Sequence, residues 1–186
     1  MNKKKVLVLL ATLVISTALA ACGNSDSGYT TGDNSKDGRS QVSQGELQSI
    51  PDFSAKDIEG NKVDNSIFKE NKVTLVNVWA TWCGPCVNEL PEIQQVYSEL
   101  KDQGIGVVGI VADGNNAKDT AKELIELENL KYKMIIPDAN LENNLISTLR
   151  GFPTSYVVDS EGKILGMKLG GMNAEGFKAF IEQYAK

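Results

Sequence analysis

The segment VTLVNVWA, residues 73–80, is the feature that most constrains the fold of this chain. It is an almost unbroken run of β-prone residues, which predicts a strand that is buried on both faces. Cys83 follows after a short loop and is expected to open a helix that reaches to about Gln103. A buried strand that passes directly into a helix is typical of α/β folds, in which helices cover a central sheet.

From Ile50 onward the chain continues to alternate strands and helices. A turn at 58–61 separates two short strands. Further strands are predicted at 104–113, 132–137, 154–159 and 164–169, and helices at 117–129, at 141–149 and after Asn173, which would cap the last helix. This order predicts an α/β sandwich with a central mixed β-sheet flanked by helices.

The N-terminus has the layout of a secretory signal. Residues 1–21 combine a lysine-rich start with an apolar run that is shorter than the roughly 20 residues that span a bilayer. The residues around Cys22 resemble a bacterial lipobox, in which the cysteine is lipidated and becomes the mature N-terminus. We therefore expect Cys22 to be a lipid anchor. An ordinary cleaved signal with an incidental cysteine is the alternative.

The segment that follows the signal is expected to be a linker. Residues 22–49 contain almost no aliphatic side chains and are rich in Gly, Ser, Asn and Asp. Such a segment buries too little surface to order itself, and as a flexible chain it would reach roughly 30 Å from the anchor. Residues 50–186 are then one globular domain. Removal of the three signal lysines changes the net charge from −5 to −8, which argues against nucleic acid as a partner.

The two remaining cysteines narrow the possible chemistry. Cys83 and Cys86 form a C-x-x-C pair, and the chain contains no histidine. Two thiolates without a histidine or a second cysteine pair are a poor zinc site, and the missing histidine excludes Cys-His catalysis. A purely structural disulfide would close a very small loop and stabilise the fold little. Redox chemistry at Cys83 and Cys86, without metal or cofactor, is therefore the favoured interpretation.

Several motifs resemble the thioredoxin superfamily. Trp82-Cys83-Gly84-Pro85-Cys86 resembles its active site, and Pro91 lies where thioredoxins carry a kinking proline in the helix. The segment 150–154 is similar to their cis-proline segment, and the segment from Gly171 is similar to their final glycine and helix. The resemblance covers roughly Ile50 to the C-terminus and implies a thioredoxin-like fold.

Within that superfamily, the residues 77–83 and 89–91 are most similar to the membrane-tethered TlpA and ResA branch. That branch carries an extra helix and strand between the C-x-x-C motif and the cis-proline. Here Pro153 lies 67 positions after Cys86, which leaves room for such an insert, since one βαβ unit needs about 30 residues or more. ResA-type proteins often carry an acid between the cysteines, and Gly84 stands there instead.

The position of Cys83 at the start of a helix explains how a thiol could react without histidine. Unpaired backbone N–H groups and the helix dipole at that end favour an anion, so they favour the Cys83 thiolate. Cys86 lies about one turn further into the helix, where it is less exposed. It is suited to attack the mixed disulfide that forms on Cys83.

Proton transfer is where the sequence departs from thioredoxin. Asn77 occupies the position of the buried aspartate of cytosolic thioredoxins, and an amide cannot accept a proton at neutral pH. Glu89 lies three residues after Cys86, on the same side of the helix, and the TlpA-like branch also carries a glutamate there. Glu89 is either the proton acceptor or an ordinary solvated glutamate, and its burial decides between the two.

The resemblance also implies a substrate-binding surface. A cis bond at Pro153 would leave neighbouring backbone groups free to pair with an extended substrate, and Phe152 would lie beside the sulfur. Trp82, Gly84 and Pro85 would complete this surface. Trp79, within the buried strand, is expected in the core.

These observations predict a lipid-anchored, extracytoplasmic thiol-disulfide oxidoreductase that reduces disulfides in exported proteins. The resemblance implies a membrane electron donor of the CcdA or DsbD kind, because the chain has no electron source of its own. Two alternatives remain, an oxidase that forms disulfides and a tethered binding module whose disulfide is inert.

Overall fold

The computed structural model describes residues 47–185. The expected signal segment, Cys22 and the linker up to residue 46 lie outside the described residues. Within the described part, Gln48 and Ser49 already pair with the hairpin near the C-terminus, because Ile164 N–H donates to Gln48 O at 2.8 Å and Ser49 bridges Lys163. The paired structure therefore starts at Gln48, two residues before the expected domain boundary at Ile50.

Seven strands form one mixed sheet in the described residues. They are β1 (Ser54–Asp57), β2 (Lys62–Asp64), β3 (Val73–Trp79), β4 (Ile105–Val111), β5 (Lys133–Ile136), β6 (Thr154–Asp159) and β7 (Ile164–Leu169). Their order across the sheet is β2-β1-β5-β4-β3-β6-β7. β3 is parallel to β4 and antiparallel to β6.

Within residues 47–185, four α-helices and three short 3-10 helices accompany the sheet. The α-helices are α1 (Gly84–Leu100), α2 (Gly114–Leu127), α3 (Ala139–Asn144) and α4 (Ala174–Glu182), and the 3-10 helices are Asn65–Glu70, Lys101–Gln103 and Ile146–Thr148. The structure confirms the predicted α/β architecture with a central mixed sheet and flanking helices.

β3 is the centre of the core because both of its faces are covered. All seven of its residues are buried, and their side chains alternate between the faces. Leu75 and Trp79 pack in one cluster with apolar residues of α1, α2 and α4. Val76 and Val78 pack in a second cluster with Phe68, Leu141 and other residues on the α3 side. The near-continuous apolar run at 73–80 follows from this two-sided burial.

The predicted insert is present between the cysteine motif and Pro153. It includes β5 and α3, and β5 lies in the sheet between β1 and β4. β5 is parallel to β4 and antiparallel to β1. β4 therefore lies between the inserted strand and β3, the strand that leads to the cysteine pair.

Some element bounds differ from the sequence prediction for local reasons. α2 begins at Gly114 instead of residue 117, and Ala117 has non-helical backbone angles within it. The predicted helix at 141–149 is two pieces, since α3 ends at Asn144 and a 3-10 turn follows. The predicted cap of the last helix is confirmed, because Asn173 Oδ1 accepts from Gly176 N–H at 2.9 Å.

Candidate active site

The cysteine pair lies where β3 leads into α1. Cys83 is the N-cap residue of α1, and its Sγ accepts a hydrogen bond from the Cys86 N–H at 3.3 Å. Cys83 and Cys86 form a disulfide, with their Cα atoms 5.2 Å apart. The sulfur of Cys83 therefore lies at the positive end of the helix dipole, where an N–H donor is directed at it.

The two sulfur-bearing residues differ in their access to solvent. Cys86 is completely buried, whereas Cys83 keeps 6% of its surface exposed. Gly84 and Pro85 are both exposed, and a side chain at Gly84 would project into open space. A partner molecule can therefore approach Cys83 across the first turn of α1.

Asp113 fixes the loop that precedes Cys83. Its carboxylate accepts from the Thr81 hydroxyl at 2.6 Å and from the Thr81 N–H at 3.1 Å. Sequence reasoning missed this residue. The signal that could have found it is its place two residues after the end of β4, since the ends of parallel neighbouring strands meet at one edge of the sheet.

The segment around Pro153 forms another side of the site. The Phe152–Pro153 peptide bond is cis, as the resemblance implied. Pro153 is buried, and its carbonyl accepts from Gly170 N–H at 2.9 Å. The rings of Trp82 and Phe152 meet edge to face, with their centroids 5.7 Å apart. Trp79 is fully buried, as expected, whereas Trp82 is 70% exposed.

Glu89 is buried, so it is not a solvated surface glutamate. One carboxylate oxygen accepts from Asn77 Nδ2 at 2.7 Å, and the other accepts from Met172 N–H at 3.3 Å. Burial raises the pKa of Glu89 from 4.5 to about 7, against the lowering effect of these two hydrogen bonds. The carboxyl group is therefore about equally charged and neutral near neutral pH.

Asn77 is one of several buried polar groups beneath the cysteine pair. Its Nδ2 donates both to Glu89 and to Ser155 Oγ, while its Oδ1 has no partner among residues 47–185. Tyr132 is also buried on this side. Burial raises the pKa of the Tyr132 hydroxyl above its usual range, and the charge of Glu89 raises it further. Neither Ser155 nor Tyr132 was singled out from the sequence, because only the strand register brings them here.

A surface groove in the described residues is separate from this site. It has a volume of about 460 Å³ and is lined by residues that include Lys62, Tyr97, Gly106 and Lys131. These residues lie near the start of β4, whereas Cys83 follows the end of β3, its parallel neighbour. The groove therefore opens at the opposite end of the sheet from the cysteines.

In residues 47–185, no three side chains of the metal-binding types come together in an arrangement suited to a metal ion. In the same residues, no helix has the length and apolar character needed to cross a bilayer.

A disulfide at the start of a helix, whose neighbouring Trp82 contacts Phe152 of a cis-proline segment, defines a thiol-disulfide oxidoreductase of the thioredoxin fold. Comparison with known proteins agrees with this class. Residues 47–167 match the AhpC/TSA family, and the chain belongs to that family.

Individual relatives carry the same activity in their names. The thiol-disulfide oxidoreductase ResA of Halalkalibacterium halodurans is 30% identical over 171 residues, which cover 91% of this chain and 88% of the relative. A thiol:disulfide interchange protein from Bacteroides sp. has a TM-score of 0.63 at 26% identity, covering 75% of this chain and 90% of that one. A thioredoxin family protein from Chlorobium tepidum has a TM-score of 0.64 at 23% identity, covering 77% of this chain and all of that one, and shows the same fold.

Proposed function

We propose that this oxidoreductase reduces disulfides in exported proteins, with Cys83 as the nucleophile and Cys86 as the resolving thiol. The observation that carries this proposal is the difference between the two sulfurs. Cys83 is the residue with exposed surface and the one whose sulfur receives an N–H donor at the helix terminus. An attacking thiolate needs both access and stabilisation, and Cys86 has no access.

The reaction proceeds in two exchanges. The Cys83 thiolate attacks one sulfur of the partner's disulfide, so that a mixed disulfide forms and one partner thiolate leaves. Cys86 then loses its proton and attacks the Cys83 sulfur, which releases the second partner thiolate. The protein ends as the Cys83–Cys86 disulfide, and an external dithiol must reduce it again. A membrane electron donor of the CcdA or DsbD kind is proposed for that step.

Glu89 is proposed as the group that accepts the proton of Cys86. The two residues are three positions apart on α1 and therefore share a side of the helix. A base works best when its pKa lies near the working pH, and the Glu89 pKa of about 7 meets that condition. Asn77 supports this role by holding the carboxylate through its Nδ2.

The partner is proposed to bind across Trp82, Gly84, Pro85, Phe152 and Pro153. The Trp82 and Phe152 rings offer apolar surface beside the cysteine pair, and the exposed first turn of α1 offers space. An extended segment of the partner would pair with backbone groups next to Pro153. This mode suits flexible protein segments that carry a disulfide.

The reducing direction is favoured over the oxidase alternative by the residues between the cysteines. Gly84 and Pro85 carry neither charge nor side-chain donor, so the helix terminus stabilises the Cys83 thiolate largely alone. Strong oxidants of this fold depend on a highly stabilised thiolate. Without one, the reduced form holds its electrons less tightly and passes them to partners.

The site of action is proposed to be the extracytoplasmic face of the bacterial cell membrane. This rests on the signal-like residues 1–21 and on the lipobox-like context of Cys22. The segment 22–49 would connect that anchor to the catalytic domain. Radiolabelled palmitate incorporation that is lost in Cys22→Ser would support the anchor, and an unlabelled wild-type chain would contradict it.

The direction of electron flow is tested by acid-quenched thiol trapping in cells. A reductant is expected to be found mostly as the dithiol, and the dithiol fraction should fall when the membrane electron donor is removed. A pair found mainly oxidised, with slower disulfide formation in exported proteins after gene deletion, would establish the oxidase instead. A pair that resists exchange with mild reductant would establish the inert binding module.

A further inference from the structure

We infer that Asn77 and Ser155 are positioning residues that let Glu89 take up and release a proton without losing its buried hydrogen bond. This inference rests on the proposed role of Glu89 in resolving the mixed disulfide. It adds a mechanism by which Asn77 and Ser155 adapt to the charged and the neutral form of Glu89.

The geometry places the three residues in one row. Asn77 lies in the middle of β3 and faces Ser155 directly across the antiparallel β3–β6 pair. The Asn77 side chain is fully buried, and its two Nδ2 hydrogens are directed at Glu89, at 2.7 Å, and at Ser155 Oγ, at 3.0 Å. Ser155 is 1% exposed and Glu89 is 3% exposed, so water does not readily replace these bonds.

An amide side chain suits position 77 because it has a hydrogen-bond donor, Nδ2, and a hydrogen-bond acceptor, Oδ1. An ionised carboxylate only accepts hydrogen bonds, whereas a protonated carboxyl group must also donate one. Asn77 Nδ2 serves the carboxylate. Rotation of the amide by half a turn would bring Oδ1 to the same place, where it can accept from protonated Glu89. Oδ1 has no partner among residues 47–185, so the rotation breaks no bond that this oxygen makes.

Ser155 can follow this rotation because a hydroxyl both donates and accepts. In the described orientation, Ser155 Oγ accepts from Asn77 Nδ2. After rotation, the Ser155 hydroxyl would donate to Asn77 Oδ1, which has two lone pairs for its two neighbours. Glu89 and Ser155 therefore stay hydrogen-bonded in both protonation states, while after rotation the two Nδ2 hydrogens face the place where Oδ1 had no partner. An aspartate at position 77 would instead place a second negative charge against Glu89.

The hydrogen-bond donors that act on the Glu89 carboxyl group are neutral, so its protonation state depends on hydrogen bonds and burial. Met172 N–H donates to the second carboxylate oxygen of Glu89. The negative charge of Glu89 raises the pKa of the nearby Tyr132 hydroxyl. Glu92, on the same helix, binds the Ala174 N–H instead. Among the described residues, only Asn77 and Met172 lower the Glu89 pKa, and both are neutral.

The proton follows a balanced path through this row. Cys86 gives its proton to Glu89, and the Cys86 sulfur bonds to Cys83 while the bond from Cys83 to the partner sulfur breaks. Asn77 then turns its Oδ1 to the new carboxyl O–H. When Glu89 passes the proton to the departing partner thiolate or to solvent, the amide returns to its first orientation.

A single-turnover reaction separates the two exchanges. Dithiobis(nitrobenzoate) releases one coloured thiolate when Cys83 attacks and a second when Cys86 resolves, so stopped-flow absorbance reports both rates across pH. The second rate should rise with pH, with a midpoint that reports Glu89. Asn77→Leu removes the hydrogen-bond partner of both forms of Glu89, and the carboxylate loses the stronger, charge-assisted bond. We therefore expect that midpoint to move up by about one pH unit, a roughly tenfold slower second step below it. The first rate should be unchanged.

Two other variants test the inference even if Asn77→Leu does not fold. Ser155→Ala should shift the midpoint in the same direction by a smaller amount, since it leaves one Nδ2 hydrogen without an acceptor. Thr74→Val is the matched control, because Thr74 is a buried β3 residue whose hydroxyl has no partner in the described part of the chain. Thr74→Val should leave the midpoint unchanged.

The outcomes separate this inference from the proposed function. If Glu89→Gln abolishes the pH dependence of the second step while Asn77→Leu and Ser155→Ala leave the midpoint in place, Glu89 keeps its role and the positioning inference is overturned. If Glu89→Gln has no effect on the second step, the proposed proton acceptor is itself wrong. In the wild-type protein, the side-chain nitrogen resonance of Asn77 should change with the midpoint of Glu89, and a resonance that is constant with pH would overturn the rotation.

Discussion

The sulfur of Cys83 accepts a 3.3 Å hydrogen bond from the backbone N–H of Cys86, the residue to which it is disulfide-bonded. The N–H belongs to the first turn of α1, where backbone donors have no partner within the helix. The same donor can serve a Cys83 thiolate after reduction. Catalysis without histidine is therefore accounted for by backbone geometry.

The first prediction concerns the order of the two thiols. Cys86→Ser should accumulate mixed disulfides with partner proteins, because Cys83 still attacks and nothing resolves the product. Cys83→Ser should accumulate none, since Cys86 is fully buried. Non-reducing electrophoresis of the acid-trapped full chain measures both. Adducts that form on Cys86 alone would reverse the assigned roles.

The second prediction concerns Glu89. Glu89→Gln should slow resolution of the mixed disulfide by roughly 10²-fold, a typical contribution of a general base, and leave the first attack nearly unchanged. Glu92→Gln is the matched control, because Glu92 lies on the same helix and also accepts from a backbone N–H, that of Ala174 at the start of α4. Equal effects of the two variants in stopped-flow measurements would indicate that Glu89 only holds Met172.

The third prediction concerns stability and pH. The pKa of Glu89 is about 7 in the folded protein and 4.5 as its ordinary value, so between these pH values the folded state binds more protons than the unfolded state. The free energy of unfolding should therefore fall as pH rises from 4.5 to 7, by on the order of 3 kcal/mol, and level off above that. Glu89→Gln should lack this slope. Urea denaturation of the oxidised proteins measures the difference, and identical slopes would contradict a buried, titrating Glu89.

The fourth prediction concerns the docking surface. Trp82→Ala removes a 70% exposed ring that meets Phe152 edge to face, and it should raise KM for a protein disulfide several-fold. The reaction with dithiobis(nitrobenzoate) should change little, because a small reagent needs no docking surface. Leu127→Ala is the control, since Leu127 is a 77% exposed apolar residue on α2. An unchanged KM in Trp82→Ala would exclude Trp82 from partner binding.

Most of the fold could be predicted from the sequence because local sequence patterns agree with the secondary structure that the whole fold requires. The apolar run at 73–80, the cysteine motif and the Asn173 cap each lie where a single stretch of chain determines structure. The strand pair β6 and β7 was predicted with its observed bounds, since a four-residue turn separates two β-prone runs.

The site could be only partly predicted from the sequence, because its buried polar contacts join residues that are far apart in the chain. Ser155 reaches Asn77 from 78 positions away, and Asp113 reaches Thr81 from 32. Neither spacing has a local signature. The burial of Glu89 likewise comes from the segment ahead of α4, so the sequence left its role undecided.

The measurement that tests the central claim most directly is the reduction potential of the Cys83–Cys86 pair, determined by equilibration with thiol-disulfide buffers. Gly84 and Pro85 add no charge beside Cys83, so its thiolate has no stabilisation beyond the helix terminus. We expect a potential below about −200 mV, nearer to the roughly −270 mV of thioredoxin, which suits a reductant of protein disulfides. A value close to about −120 mV, the range of DsbA, would contradict the account and identify an oxidase.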